Sequence, residues 1–407
     1  MPAACGCPHN HAFRLHRLRH VTRLPPFSPF HANAFTWNFA LGMTNLLVPL
    51  YALELGMNGV EIGSLIALPV LIQIWINLLG GAYADRMGAK RTSMFSCAFL
   101  VLAAVAFALS RSFAGLLAGQ LLTILSRAAF WPSNWALASR LPGDRSRNMG
   151  RLNATTNAGQ IAGIALTGMV IARFGFRAGF WLMAGVGLLS FTFAVFITHL
   201  RSEQATRPAL LSSYRVLLRR RSIYFALSCA YISALPVSLS VSFYPILLVE
   251  QGFTSDATGW LLTLRAFGSI ASGIALAHLV RRASDRAAPF ASALVSAVSV
   301  GLAAVLPNPL WVGFFLLALG MASGLMTVYF QILISAISTA EQRGSAMALG
   351  GLGWGLSNLT TPLLVGLLRD AYGIHVAFYS LGVVVFVVAL SIFALHRWAF
   401  GNGEHPL

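Results

Sequence analysis

Charge is scarce in this 407-residue chain: Asp, Glu, Lys and Arg make up 10% of it, against 57% hydrophobic residues. A soluble globular chain averages about 25% charged and about 45–50% apolar, so one soluble domain of this composition would have no polar face left for water. The same excess excludes an intrinsically disordered chain. Cysteine is scarce too. Of the four, Cys97 and Cys229 fall in apolar runs and Cys5 and Cys7 near the N-terminus, which excludes a disulfide scaffold. Cys5, Cys7, His9 and His11 crowd together, but nothing nearby would fix a tetrahedral geometry, and no metal or cofactor is expected. No Gly-x-x-x-x-Gly-Lys loop occurs, which argues against a nucleotide-driven pump. The first 30 residues hold neither an acid nor an apolar stretch of the secretory type and read as a tail. With a mean hydropathy of +0.73, the composition is that of an all-α integral membrane protein.

About 20 apolar residues cross a bilayer as a helix. Runs of that kind fall near 31–54, 58–81, 92–110, 113–137, 149–172 and 177–198, then near 223–248, 257–280, 287–306, 309–337, 344–368 and 374–395. Twelve spans follow, as a six-helix bundle over 31–198 and another over 223–397, with a tail at 1–30, a polar, arginine-rich central loop at 199–222 and a short tail at 398–407. The basic residues give the orientation. With a cytoplasmic N-terminus, twenty-two of the 28 fall on the inside, among them Arg86, Lys90, Arg91, Arg219, Arg220 and Arg221. Four fall outside (Arg111, Arg173, Arg177 and Arg369), and Arg127 and Arg265 lie within spans. Both termini and the central loop are therefore expected in the cytoplasm, in a plasma or inner membrane. The net charge of +17 is a topology signal and calls for no nucleic-acid partner.

The two halves repeat. At an offset of 196, Pro49 meets Pro245, Glu54 meets Glu250, Gly56 meets Gly252, Gly63 meets Gly259 and Arg147 meets Arg343. At 198, Gly168, Gly175 and Phe180 meet Gly366, Gly373 and Phe378. Two parallel six-helix repeats in one chain build a transporter with a site near the midplane, and a monomer suffices.

The loop between spans two and three reads Gly81-Ala82-Tyr83-Ala84-Asp85-Arg86-Met87-Gly88-Ala89-Lys90-Arg91. It resembles the Gly-x-x-x-Asp-Arg-x-Gly-x-Lys-Arg loop of the major facilitator superfamily, and with the twelve spans and the duplication the resemblance runs from about 31 to 397. The resemblance implies the major facilitator fold, alternating access, and a conformational latch of Gly81, Asp85, Arg86, Gly88, Lys90 and Arg91 in which Asp85 faces the positive end of span eleven. Departures from the proton-driven drug antiporters are a span five with Gly159, Gly163 and Gly168 but no Gly-Pro element, and Gln120 where an early basic residue of span four is common. The three glycines read as close helix packing.

All eleven acids fall at span ends, in loops or in tails, so no carboxylate is expected at mid-membrane, where proton relays and sites for cationic drugs generally need one. Two arginines are expected inside. Gln120, Arg127, Trp131, Asn134 and Trp135 share one face of span four, and Arg265, Ser269 and Ser272 share one of span eight. Either arginine offers a planar fork to a carboxylate or phosphate, and an arginine in span eight is similar to what organic-anion members of the family use. Their structural alternatives are that Arg127 bonds carbonyls freed near Pro132 and that Arg265 snorkels outward. Further candidates for the cavity wall are Asn38 and Asn45 in span one, Gln73 in span two, Tyr231 in span seven, Tyr329 in span ten and Asn358 in span eleven. The function expected is transport of a small solute, favouring an organic anion or polar metabolite, with or without a coupling ion. Efflux of drugs or sugars is the alternative; a membrane-embedded enzyme, the alternative of another class, would need acids or histidines near the membrane plane, and no catalytic residue is assigned.

Overall fold

A computed structural model describes residues 28–79, 88–142, 144–197, 216–275, 287–338 and 343–401. These form twelve helices and no strand: α1 (Pro29–Glu54), α2 (Gly59–Leu79), α3 (Ala89–Leu109), α4 (Phe113–Arg140), α5 (Arg145–Val195), α6 (Arg221–Ser240), α7 (Tyr244–Glu250), α8 (Ser255–Ala275), α9 (Ala287–Ala303), α10 (Pro309–Ala336), α11 (Arg343–Tyr372) and α12 (Ile374–Phe400). Seven described helices are long and apolar enough to cross a membrane by length and composition, α5 being one of them. Most of the first 30 residues, much of the 199–222 loop, the chain beyond 401, and Gly81, Asp85 and Arg86 of the expected latch lie outside the described residues.

Two expected span boundaries are drawn differently in the structure. Spans five and six are one 51-residue helix broken only at Gly175, whose φ of 76° takes the chain out of helical geometry. Span seven is two helices, with a turn over 241–243 between α6 and α7. Pro245 lies in the first turn of α7, and lacking an N–H it cannot continue the hydrogen-bond ladder back into α6. Its repeat partner Pro49 sits inside an unbroken α1.

The duplication is visible in the backbone. Gly56 and Gly252 have φ of 78° and 90°, and Gly175 and Gly373 have 76° and 86°. Each aligned pair turns the chain through left-handed geometry, which a side chain resists.

The first half is built around α1, buried from Phe30 to Ala52 along most of its length. It lies backbone to backbone on α5: a Cβ at Gly159 or Gly163 would collide with the carbonyls of Phe35 or Phe39, and one at Gly42 with that of Gln160. Asn33, fully buried, ties α1 to two further helices. Its Nδ2 donates to the Ser190 carbonyl (2.9 Å) and Oγ (3.0 Å) and to Cys97 Sγ (3.2 Å), while Ser93 Oγ donates to its Oδ1 (3.3 Å). The long face of α12 (Val383, Phe386, Val387, Leu390, Phe393) is exposed and apolar, as a lipid-facing helix requires.

The halves meet along α2–α11, α5–α8 and α1–α7, whereas α4 and α10 each pack within their own half. The short connections at Gly56, Ser110, Gly252, Val305 and Gly373 gather at one end of the bundle, termed here the Gly56 end. Tyr51 donates to the Ser110 carbonyl (2.9 Å), Gln251 to that of Ala303 (3.3 Å), and a His375 ring nitrogen lies 2.8 Å from that of Ala304.

Candidate functional site

Arg127 stands on α4, a helix opened by Ser112, whose Oγ accepts from the Gly115 N–H (3.3 Å). The neighbouring residue fixes its depth and rotation. Ser126 Oγ donates to the Ser96 carbonyl (2.7 Å), Ser96 Oγ donates back to the Ser126 carbonyl (2.8 Å), and Trp37 Nε1 donates to Ser126 Oγ (3.1 Å). Trp37 then stacks on Phe130 with ring centroids 3.7 Å apart, and Trp131 meets Phe130 edge-on at 5.3 Å. Trp131 and Trp135 continue the aromatic line at 5.8 Å, with Trp135 52% exposed. Arg127 is half-buried in this setting, its Nε sealed from solvent and without a partner.

Pro132 removes one backbone donor from α4, but Arg127 is not what compensates. Ser133 Oγ donates to the carbonyls of Ala129 (2.8 Å) and Phe130 (2.9 Å), and Asn134 Nδ2 to that of Phe130 (3.0 Å). The role open to Arg127 as a backbone donor near Pro132 is therefore filled by its neighbours. Burying an unpaired guanidinium at membrane depth costs about 2.5–3.5 kcal/mol on insertion scales. Among the described residues no carboxylate repays that cost, and the ion pairs there centre on Arg369.

Arg265 does not snorkel. It is 5% exposed, and both Nε and Nη1 are sealed and unpartnered. The close approach of α8 to α10 holds it there, since a Cβ at Gly320 would collide with the Arg265 carbonyl.

The remaining candidates scatter. Asn38 is buried and donates to the Ala34 carbonyl of its own helix (2.9 Å). Asn45 is buried on α1, and Gln73 is half-buried on α2. Tyr231 Oη lies 2.8 Å from Thr360 Oγ1, joining α6 to α11, and Asn358 donates to the Trp354 carbonyl (2.8 Å). Tyr329 and Asn134 are buried at 1% and 0% exposure, Tyr329 in an apolar core with Phe225 and Phe330. Of the latch residues described, Gly88 precedes α3 with φ of 82°, and Lys90 and Arg91 lie in its first turn. Arg127, Trp131 and Asn134 are thus gathered on α4, while the other candidates are not drawn into one cluster with them.

Sequence reasoning missed a polar lock at the Gly56 end. Asp370, on the last turn of α11, accepts from the Gly59 N–H (Oδ1, 2.5 Å) and the Val60 N–H (Oδ2, 2.8 Å). Asn58 and Glu61 close a capping box on the same helix start, with bonds of 2.8 and 2.9 Å. The first three N–H groups of α2, ordinarily orphaned, are all satisfied, two of them by the opposite half. Beside it, Arg369 pairs with Glu250 at 2.7 Å. His396 was also missed: α12 runs past the expected end at 395 and carries His396 into the interior between Phe225 and Phe400. On the other seam, Ile161, Trp260, Leu261, Thr263, Leu264 and Phe267 line a largely apolar groove of about 370 Å³, and Arg127 is not part of its lining.

Comparison with known proteins is consistent across the chain. A family model described as Major Facilitator Superfamily matches residues 32–255 and again 226–402. Curated relatives include the quinolone resistance protein NorA of Staphylococcus aureus, 27% identical over 41% of this chain and 43% of that protein. Another is the multidrug resistance protein MdtH of Proteus mirabilis, 28% identical over 53% and 54%. The matched part thus spans about half the length of these relatives. Among solved structures, a bacterial homologue of the human lysosomal transporter Spinster, in an inward-facing and unoccupied conformation, superposes with a TM-score of 0.75 at 14% identity, covering 94% of this chain and 100% of that one. The nucleoside transporter NupG gives 0.76 at 13% identity over 91% and 98%. The repeated helices, the glycine turns shared by both halves and the family match over nearly the whole length lead to one assignment: this integral membrane protein belongs to the Major Facilitator Superfamily.

Proposed function

We propose that this chain is a secondary transporter that moves a small organic anion with a planar, apolar body by alternating access. The observation that carries the reading is Arg127 on α4, beside Trp131 and the exposed Trp135: its Nε is sealed and unpartnered, and it has no carboxylate partner among the described residues. A fork of donors suits a carboxylate or phosphate, and indoles offer apolar contact area to the rest of the solute. The Trp37–Phe130 stack behind Trp131 keeps that wall rigid before a ligand arrives.

The contacts between halves support an arrangement closed at the Gly56 end, with the main contacts of α4, among the described residues, made inside its own half. The basic residues assign that end to the outside, so Arg127 is approached from the cytoplasm and both termini are cytoplasmic in a plasma or inner membrane. Efflux is the direction proposed, in keeping with the resistance proteins among the relatives.

Counterflow into proteoliposomes tests the reading with a panel of aromatic carboxylates, neutral sugars and cationic dyes. Aromatic carboxylates are expected to exchange, Arg127→Lys to weaken them and Arg127→Gln to abolish them in a folded protein. Transport of a sugar or cationic dye that survives Arg127→Gln would overturn it.

A further inference from the structure

A second donor cluster lies apart from α4, inside the C-terminal half. Arg265 is 5% exposed with Nε and Nη1 sealed and unpartnered. Tyr244, the first residue of α7, is fully buried, and its hydroxyl is likewise sealed and unpartnered. The helices that carry them, α7 and α8, pack against each other and bring the two groups to one corner. Thr258 Oγ1 is a third sealed, unpartnered oxygen, on the Arg265 face of α8 and two turns nearer its start, the direction in which helical side chains lean. Phe378 closes on the Tyr244 ring at 5.0 Å.

The chemistry of this set is one-sided. A guanidinium only donates, and the tyrosine and threonine hydroxyls can both turn a hydrogen toward a common acceptor. Buried charges in proteins are paired, yet among the described residues no acid pairs with Arg265. Water would satisfy hydrogen bonds and leave the charge uncompensated. An organic solute is too large for a residue this enclosed.

We propose that Arg265 and Tyr244, with Thr258, bind a single small inorganic monoanion of chloride size within the C-terminal half. This ion is distinct from the solute at Arg127. It neutralises the buried arginine and stabilises the α7–α8 corner, whatever the cavity carries.

The test uses the purified full-length protein without transport substrate. Thermal unfolding is followed as sodium chloride replaces sodium gluconate at constant ionic strength, with equilibrium dialysis of radioactive chloride as the direct count. Wild type is expected to gain a few degrees saturably and to bind about one chloride per chain, as mass action on a native-state site requires. Tyr244→Phe should weaken chloride about tenfold or more, the size of a lost hydrogen bond to a charged group. Arg265→Gln should lose the response. If that variant does not fold, Arg265→Lys keeps the charge without the fork and should show a weaker but still saturable response. A folded wild type that binds no chloride, or a chloride response unchanged in Tyr244→Phe and Arg265→Lys, would overturn the proposal.

Discussion

The α2–α11 and α5–α8 seams are one contact made twice by a duplicated chain, yet different chemistry closes them. Glycines bring the backbones together at both. A Cβ at Gly366 would strike the Gly59 carbonyl and one at Gly63 that of Pro362, and on the second seam one at Gly168 would strike the Ser255 carbonyl. At Gly259 the nearest atom, the Ile164 carbonyl, stands 3.1 Å away, and the apolar groove opens alongside. The polar lock exists on the first seam only, where Asp370 reaches across the halves to cap α2. On the second, Thr254 bonds Asp256 within the same helix start, and Arg173 contributes only at a distance. Duplication preserved the small-residue approach, which needs only the absence of side chains. The specific carboxylate sits in one copy, so one seam is expected to hold more tightly than the other.

The sharpest way to break that asymmetry is steric. Gly366→Val places atoms against backbone that cannot yield, and overpacking of this kind costs about 1–3 kcal/mol. The closed Gly56 end should open, making a cysteine introduced at Asn45, buried here, reactive to an impermeant thiol reagent from that side. Gly259→Ala on the looser seam should leave that cysteine protected.

Next in size is the lock itself. Asp370→Asn removes the charge and one acceptor from the α2 start, a cap worth about 0.5–2 kcal/mol. Labelling at Asn45→Cys should rise severalfold, whereas Asp256→Asn, which loses no hydrogen bond across the seam, should leave it nearly unchanged. Equal effects of the two substitutions would refute the asymmetry.

Smaller again is the Glu250–Arg369 pair. Glu250→Gln is expected to cost no more than about 1 kcal/mol, because exposed ion pairs contribute little. Raising salt should erase the difference in labelling from wild type.

The smallest effect is a pH dependence at Asp256. The Thr254 hydroxyl, then the Ala257 N–H, hold its carboxyl below the usual range, and Arg173 adds to this. A carboxylate depressed in the folded state contributes stability above its unfolded value, about pH 4. That contribution disappears as pH falls through the folded value. Thermal unfolding of wild type and Asp256→Asn should therefore differ near neutrality and converge on acidification.

Much of the fold was legible because it rests on local and periodic signals: apolar runs long enough for a bilayer, and glycines at a constant offset whose shared left-handed turns the structure displays. Arg127 was legible as well, because so few acids exist that an intramembrane cation without a partner stands out. The interface was not. Asp370 lies 311 residues from Gly59, and its position at the end of a span reads as an ordinary boundary acid until α11 is laid beside α2. Asn33 was not singled out, since its partners Ser93, Cys97 and Ser190 come from two other helices. The break before Tyr244 was missed because Pro245 and Pro49 align and only one interrupts its helix.

The glycine contacts between α1 and α5 have a mechanical meaning. Helices separated by side chains can roll on a compliant layer; helices touching through Gly42, Gly159 and Gly163 have no such layer, and the Asn33 clamp adds a pin at one end of α1. The first half is thus stiff where it carries Trp37 and, through the stacked rings, Trp131. A solute bound there, as proposed above, would meet little elastic give, and its work would be delivered as rotation of the whole half about the seams.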